Sequence, residues 1–121
     1  MRPRLIIALA ALAVCSLASV FISRWDKATM ETVPAELRDK LGIAVAKRTY
    51  KTYRQLLDSD RWLRLANAGA RPQRLLWAST GTKDPAASGV LYSKPLAAPF
   101  TVNTIPDKTL LAFGPDGKSP V

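Results

Sequence analysis

The 121-residue sequence contains no histidine and a single cysteine, Cys15. That excludes an intramolecular disulfide, a Cys/His zinc site and any Ser-His or Cys-His nucleophile pair within the chain. Chemistry carried here falls to lysine, carboxylates, tyrosine and hydroxyls. Aromatic residues make up only 7% and do not interleave with the basic ones, which argues against a base-stacking RNA surface. The chain has no G-x-x-x-x-G-K-[ST] phosphate loop, no internal repeat and no low-complexity tract. It is also too short for a complete (β/α)8 barrel, which needs roughly 250 residues.

With 48% hydrophobic residues the chain can bury a core and does not read as disordered. Lys+Arg 18 against Asp+Glu 9 gives a net charge of +9, spread along the chain without a dense basic block. Such a balance permits phosphates, nucleic acid or anionic lipid as partners, with solubility or sugar phosphates the plainer reading.

The rest of the sequence is organised around Arg71 to Pro85, RPQRLLWASTGTKDP. Leu75 to Ala78 form an unbroken apolar run, suited to a parallel-sheet strand buried on both faces. The chain then turns small and polar at Ser79, Thr80, Gly81 and Thr82, before Lys83, Asp84 and the breaker Pro85. α/β proteins place ligand-binding groups in such loops, at the carboxyl ends of strands. Hydroxyls, free backbone N–H groups and a lysine could cradle a phosphate; an ordinary polar turn with a solvated lysine is the alternative.

Before this stretch, Met1-Arg-Pro-Arg4 is positive and Leu5 to Ile22 is eighteen residues without a charge. Basic flank, apolar core and small residues such as Ala11 and Ala13 resemble a secretory signal or a short membrane anchor. The competing reading splits the run into an Ala/Leu helix, Leu5 to Val14, and a buried strand, Ala18 to Ser23. Ser19 and Arg24 lie five residues apart, on opposite faces of a regular strand. They converge only if Arg24 lies past the strand end and curls back, where it could grip a phosphate bidentately. Otherwise Arg24 is a strand-end arginine paired with Asp26.

Pro34 marks a helix start, and a helical pattern runs to about Leu57 with Leu37, Leu41, Val45, Tyr53 and Leu56 on one broad side. Lys40, Lys47, Lys51 and Arg54 form a stripe on another side, read as a solvated face before a nucleic-acid or headgroup contact. Asp58-Ser59-Asp60 caps a shorter helix with Trp62, Leu63 and Leu65, stopped at Gly69. After Pro85 a loop rich in Ala, Ser, Gly and Pro is anchored by Leu91 and Tyr92. Phe100 to Ile105 reads as a strand ended by Pro106, Asp107 to Phe113 as one or two helical turns, and Gly114 to Val121 as a frayed tail. The order is that of consecutive βα units, an α/β fold.

Four segments, ASVFISRWDKA (18–28), LGIAVAKRTYKTYRQLL (41–57), RPQRLLWASTGTKDP (71–85) and FTVNTIPDKTLLAF (100–113), resemble in order the C-terminal part of bacterial transaldolases of the longer type, which also occurs fused to glucose-6-phosphate isomerase. The resemblance covers roughly residues 17–113. It implies the last three βα units of a partial (β/α)8 barrel, with an atypical hydrophobic segment at 1–16 and a flexible tail at 114–121. Ala18–Ser23, Arg74–Ser79 and Phe100–Thr104 would be its sixth, seventh and eighth strands. The implied activity is a transferase of the pentose phosphate pathway, moving a dihydroxyacetone unit between sugar phosphates (the sedoheptulose 7-phosphate, fructose 6-phosphate and glyceraldehyde 3-phosphate class) through a lysine Schiff base. No cofactor or metal is implied, and the setting is cytoplasmic. Ser19 and Arg24 match the family's S-x-x-x-x-R substrate-binding segment, and Ser79 matches its phosphate-site serine. Lys83 takes the lysine position of the TGTK loop and is assigned the neutralisation of phosphate charge.

The family's Schiff-base lysine belongs to the fourth strand, and its acid/base carboxylates lie upstream. None of those segments is in this sequence, and none of its eight lysines (Lys27, Lys40, Lys47, Lys51, Lys83, Lys94, Lys108 and Lys118) sits in an apolar strand, where burial favours the neutral amine. The expectation is a catalytically inert, weakly stable barrel piece that keeps half of a substrate site. The alternative, resting on residues 5–22, is a small exported or membrane-anchored basic binding protein.

Overall fold

The computed structural model describes residues 16–112. Three strands, β1 (Leu17–Phe21), β2 (Arg74–Ala78) and β3 (Thr101–Asn103), form one parallel sheet in the order β1-β2-β3. Val20 pairs with Trp77 and Trp77 with Asn103, so the register is continuous across the sheet. Parallel neighbours need long crossovers. The first is made by α1 (Ser23–Thr29), a 3-10 turn (Ala35–Leu37), α2 (Leu41–Leu57) and α3 (Asp60–Asn67). The second is the long loop 79–100, and α4 (Asp107–Ala112) follows β3. Successive strands lying side by side in parallel is the strand order of a (β/α)8 barrel, as expected for its last three units.

Among the described residues the helices cover one face of the sheet. Ile22, Ala46, Leu75, Trp77, Tyr92 and Leu96 form the core, with Ala18 and Val20 packed against it. Strand alternation therefore turns Leu17, Ser19 and Phe21 to the opposite face, where Leu17 and Phe21 are about half exposed. The expected burial of the central strand on both faces is realised for Leu75, Trp77 and Ala78, whereas Leu76, on the uncovered face, is half-buried. The three described strands do not close a barrel, and Leu17 and Phe21 stay accessible on that face. The Trp77 indole N–H is satisfied inside the core by the Leu96 carbonyl at 3.0 Å.

Three expected boundaries move. The first strand ends at Phe21, and Ser23 already opens α1, a seven-residue helix too short to show a period in the sequence. The β1–β2 ladder nevertheless continues into it, because Ile22 N–H donates to Ala78 O (2.9 Å) and Ser23 N–H to Ser79 O (3.0 Å). The helix expected from Pro34 is broken: Arg38 is extended and Asp39 is left-handed (φ 58), so α2 starts at Leu41. An aspartate tolerates that region better than most residues. The strand expected over Phe100–Thr104 is shorter, because Phe100 is left-handed (φ 62). The shorter helix α3 is as read: Ser59 Oγ accepts from Trp62 N–H at 3.3 Å, and Gly69 (φ 97) follows its end. In the long loop Tyr92 is fully buried and Leu91 packs on the core, joined by Leu96.

Within the apolar run Leu5 to Ile22, residues 17–21 are β1 and those up to 15 lie outside the described residues, as do all of the segment 1–16 but Ser16 and the whole of 114–121. Among the described residues no helix is long and apolar enough to cross a membrane.

Candidate phosphate-binding site

The site is built where β1 and β2 end. Ser79 follows β2 directly and is held at φ 55, a conformation that costs a non-glycine residue about 1–2 kcal/mol. Strain of this kind persists only where neighbouring contacts fix it. Here the Ser79 hydroxyl lies 2.8 Å from that of Ser23, and its carbonyl accepts from the Ser23 N–H. Ser23 is fully buried, while Ser79 keeps part of its surface open. Ser79 is thereby fixed beside the first turn of α1, the turn that carries Arg24.

Arg24 lies beyond the strand end and bends back over it. Its guanidinium carbon stands 4.2 Å above the centre of the Phe21 ring. Phe21 is the next residue after Ser19 on the face away from the core, so Arg24 returns to the face of the sheet that bears Ser19, resolving the opposed placement a straight strand would impose. The alternative expected for Arg24, a pairing with Asp26, is not formed among the described residues. Asp26 is buried, and its carboxylate accepts from Gly42 N–H (3.0 Å) and from the Tyr92 hydroxyl (2.6 Å). These bonds lock α1 to the start of α2 and to the long loop. Burial, followed by the Asp26 hydrogen bond and charge, raises the Tyr92 phenol well above the ordinary tyrosine range.

The loop after Ser79 is strapped to the end of β3. Thr80, buried, donates to Asn103 Oδ1 (2.7 Å), and Thr104 Oγ1 donates to Trp77 O (3.2 Å). Beyond Gly81 the chain is held by its own turns: Thr82 Oγ1 donates to Ser88 O (2.7 Å) and Ala86 N–H to Asp84 Oδ1 (2.9 Å). Lys83 is exposed on this outer bend. The structure thus sets Arg24 and Ser79 past the ends of two adjacent strands, keeps Ser19 in the middle of β1, and leaves Lys83 on a separate loop turn.

Sequence reasoning missed Ser23, Asp26 and Tyr92 as the groups that hold this arrangement. The one local signal was Asp26 inside an otherwise apolar and basic stretch; its partners, 16 and 66 residues away, leave no periodic trace. In the basic stripe, Arg54 stacks over the Phe100 ring at 5.2 Å, and Lys47 and Lys51 are exposed. Partial burial, then the neighbouring Asp84 carboxylate, raises the Asp39 carboxyl above its ordinary value of 3.8. Among the described residues no group of three or more Cys, His, Asp or Glu is placed to hold a metal ion.

Parallel neighbouring strands with helices on one face, and polar groups gathered past the strand ends, define part of a (β/α)8-barrel protein with its ligand end at those strand termini. Comparison with known proteins gives the family. The chain belongs to the transaldolase/fructose-6-phosphate aldolase family, whose model matches residues 6–120. It is 49% identical over 114 residues to a transaldolase of Parafrankia sp. (strain EAN1pec), an overlap of 88% of this chain and 31% of that protein. With a transaldolase of Thermobifida fusca (strain YX) the identity is 48% over 111 residues, 84% of this chain and 30% of the relative. With one of Trichodesmium erythraeum (strain IMS101) it is 46% over 112 residues, 80% and 30%. The chain therefore spans about three-tenths of the length of these relatives.

Proposed function

We propose that this chain carries the phosphate-binding part of a transaldolase-type site, with Ser19, Arg24, Ser79 and Lys83 holding the phosphate of a sugar-phosphate substrate such as fructose 6-phosphate. The observation that supports it is Ser79: a strained serine directly after the central strand, hydrogen-bonded to Ser23 and so set beside Arg24. Arg24 offers a planar fork suited to two phosphate oxygens, and the serines offer hydroxyl donors. Lys83 acts from its loop as a point charge.

In the reaction of this class a lysine amine adds to the ketose carbonyl and the adduct loses water to a Schiff base; the adjacent aldol C–C bond then breaks and releases one aldose, the bound dihydroxyacetone unit forms a new C–C bond to the aldehyde of the acceptor aldose, and water frees the product. We assign no such lysine in this chain. All seven described lysines are exposed, on helices, at a helix start or in loops, and none is on a strand. The chain by itself is thus a transferase by family that binds substrate phosphate without forming the imine.

Incubating the purified full chain with fructose 6-phosphate, reducing with borohydride and weighing the intact protein tests both halves, run beside equilibrium binding of fructose 6-phosphate and of unphosphorylated fructose. Binding of the phosphate ester alone, without a covalent adduct, is the expected result. Equal binding of both sugars would remove the phosphate site, and a mass increase mapped to one lysine would remove the assignment of an inert chain. The same reading places the protein in the cytoplasm. Recovery of a C-terminally tagged copy from cytosol at full mass is the expected outcome, and a processed or membrane-bound product would favour the exported alternative.

A further inference from the structure

Ser23 and Ser79 meet through two bonds. The Ser23 N–H donates to the Ser79 carbonyl at 3.0 Å, and the two hydroxyl oxygens stand 2.8 Å apart. Distance alone leaves the direction of the second bond open, because each hydroxyl holds one proton and two lone pairs. Burial closes it. Ser23 is fully buried, and among the described residues its hydroxyl meets no partner but Ser79, whereas Ser79 keeps part of its surface open. Were Ser79 the donor, the Ser23 proton would be left buried without an acceptor, an arrangement that native interiors avoid. With Ser23 as the donor its buried proton is bonded, and the proton left over belongs to Ser79, the member of the pair open to a ligand.

We infer that Ser23 is a positioning residue that fixes Ser79 as a hydrogen-bond donor and so tunes the site to groups that accept, an oxyanion such as a phosphate ester. The inference rests on the phosphate-site reading above and adds to it the direction of the bond. Ser79 Oγ, already accepting from Ser23, is polarised in the sense that strengthens its own donation. The bonds to Ser23 also help to hold the Ser79 backbone at φ 55, so the donor is fixed in place as well as in direction. Arg24, the next residue of α1, brings a guanidinium that donates and cannot accept. A phosphate ester, with three strong acceptor oxygens, matches this set of donors. A sugar hydroxyl, which has a proton of its own to place, matches it less well.

A double-mutant cycle tests this in the full chain, with equilibrium binding of fructose 6-phosphate measured for the parent, Ser23→Ala, Ser79→Ala and the double variant. Ser23→Ala removes one buried oxygen and frees the Ser79 hydroxyl to turn. It is expected to weaken binding about threefold to tenfold, the worth of one oriented hydrogen bond. Added to Ser79→Ala, the same change is expected to cost nothing further, because the hydroxyl through which Ser23 acts is already gone. A merely structural role would weaken binding by the same factor in both backgrounds. That result, or an unchanged affinity in Ser23→Ala, overturns the inference and leaves the phosphate site standing. Equal binding of fructose 6-phosphate and fructose by the parent would remove the phosphate site, and the role of Ser23 with it. Ser23→Cys keeps a weaker donor in the same place and carries the cycle if the alanine variant does not fold, with a smaller loss expected.

Discussion

Replacing Gly42 by alanine places a methyl group where α1 and α2 touch. A Cβ there would stand 2.8 Å from Asp26 Oδ2, 2.8 Å from the Ile22 carbonyl oxygen and 3.2 Å from Ile22 Cγ2. Two of these neighbours cannot give way cheaply: one is backbone at the end of β1, the other a carboxylate already bound to Gly42 N–H and Tyr92. Overpacking costs about 1–3 kcal/mol, and pushing Asp26 off Gly42 N–H forfeits about 1.5–3 kcal/mol for a hydrogen bond to a charged group. Against this, alanine gains at most about 1 kcal/mol over glycine in helix propensity, less so near close to a helix start. The net expectation is a loss of about 2–4 kcal/mol. Urea unfolding of the full chain at low temperature, followed by circular dichroism, reads this as a midpoint lowered by roughly 1–2 M. Gly81→Ala serves as the comparison, since its Cβ meets only Pro106 Cγ at 3.3 Å, and a smaller shift is expected. A Gly42→Ala chain as stable as the parent, the result helix propensity alone would give, refutes the account of α1 locked to α2 through Asp26.

Tyr92→Phe removes the hydroxyl that donates to buried Asp26 and is expected to destabilise the chain by about 1.5–3 kcal/mol in the same urea assay; an unchanged midpoint would show the bond contributes nothing. Ser79→Gly and Ser79→Ala separate strain from function. Both are expected to weaken fructose 6-phosphate binding about tenfold or more, whereas only glycine relieves the left-handed backbone and so leaves the more stable protein. Undiminished binding by Ser79→Gly would count against the site. Asp39, held above 3.8 by partial burial and by Asp84, binds its proton more tightly folded than unfolded. Its contribution is fully present below pH 3.8 and is lost as pH rises through the raised value. Asp39→Asn, which keeps a residue suited to φ 58, is expected to raise the urea midpoint at pH 7 and leave it unchanged near pH 3. A midpoint at pH 7 equal to or below the parent's would contradict this.

Much of the architecture is legible locally. The run Leu75–Ala78 followed by small polar residues marks the central strand and its loop, because burial and turn chemistry are written into adjacent residues. Ser59 and Gly69 bracket α3 for the same reason, one as a cap and the other as a left-handed stop. The WASTGTKDP and TVNTIP motifs carry the family. The exclusion of a Cys/His zinc site, an intramolecular disulfide and histidine chemistry within this sequence follows from composition alone.

Tertiary structure decided what local patterns do not encode. Whether Arg24 pairs with Asp26 or returns over Phe21 depends on Gly42 and Tyr92, which claim Asp26 from distant parts of the chain. The left-handed turns at Asp39, Ser79 and Phe100 shorten elements that periodicity extends, because contacts fix those angles more strongly than side-chain preference does. Apart from the family resemblance, residue type leaves Ser79 one more loop hydroxyl until the end of the β1–β2 ladder sets it against Ser23. Residue types and their spacing thus established what chemistry the chain could hold; only the meeting of β1, β2 and α1 determined which side chains share one place.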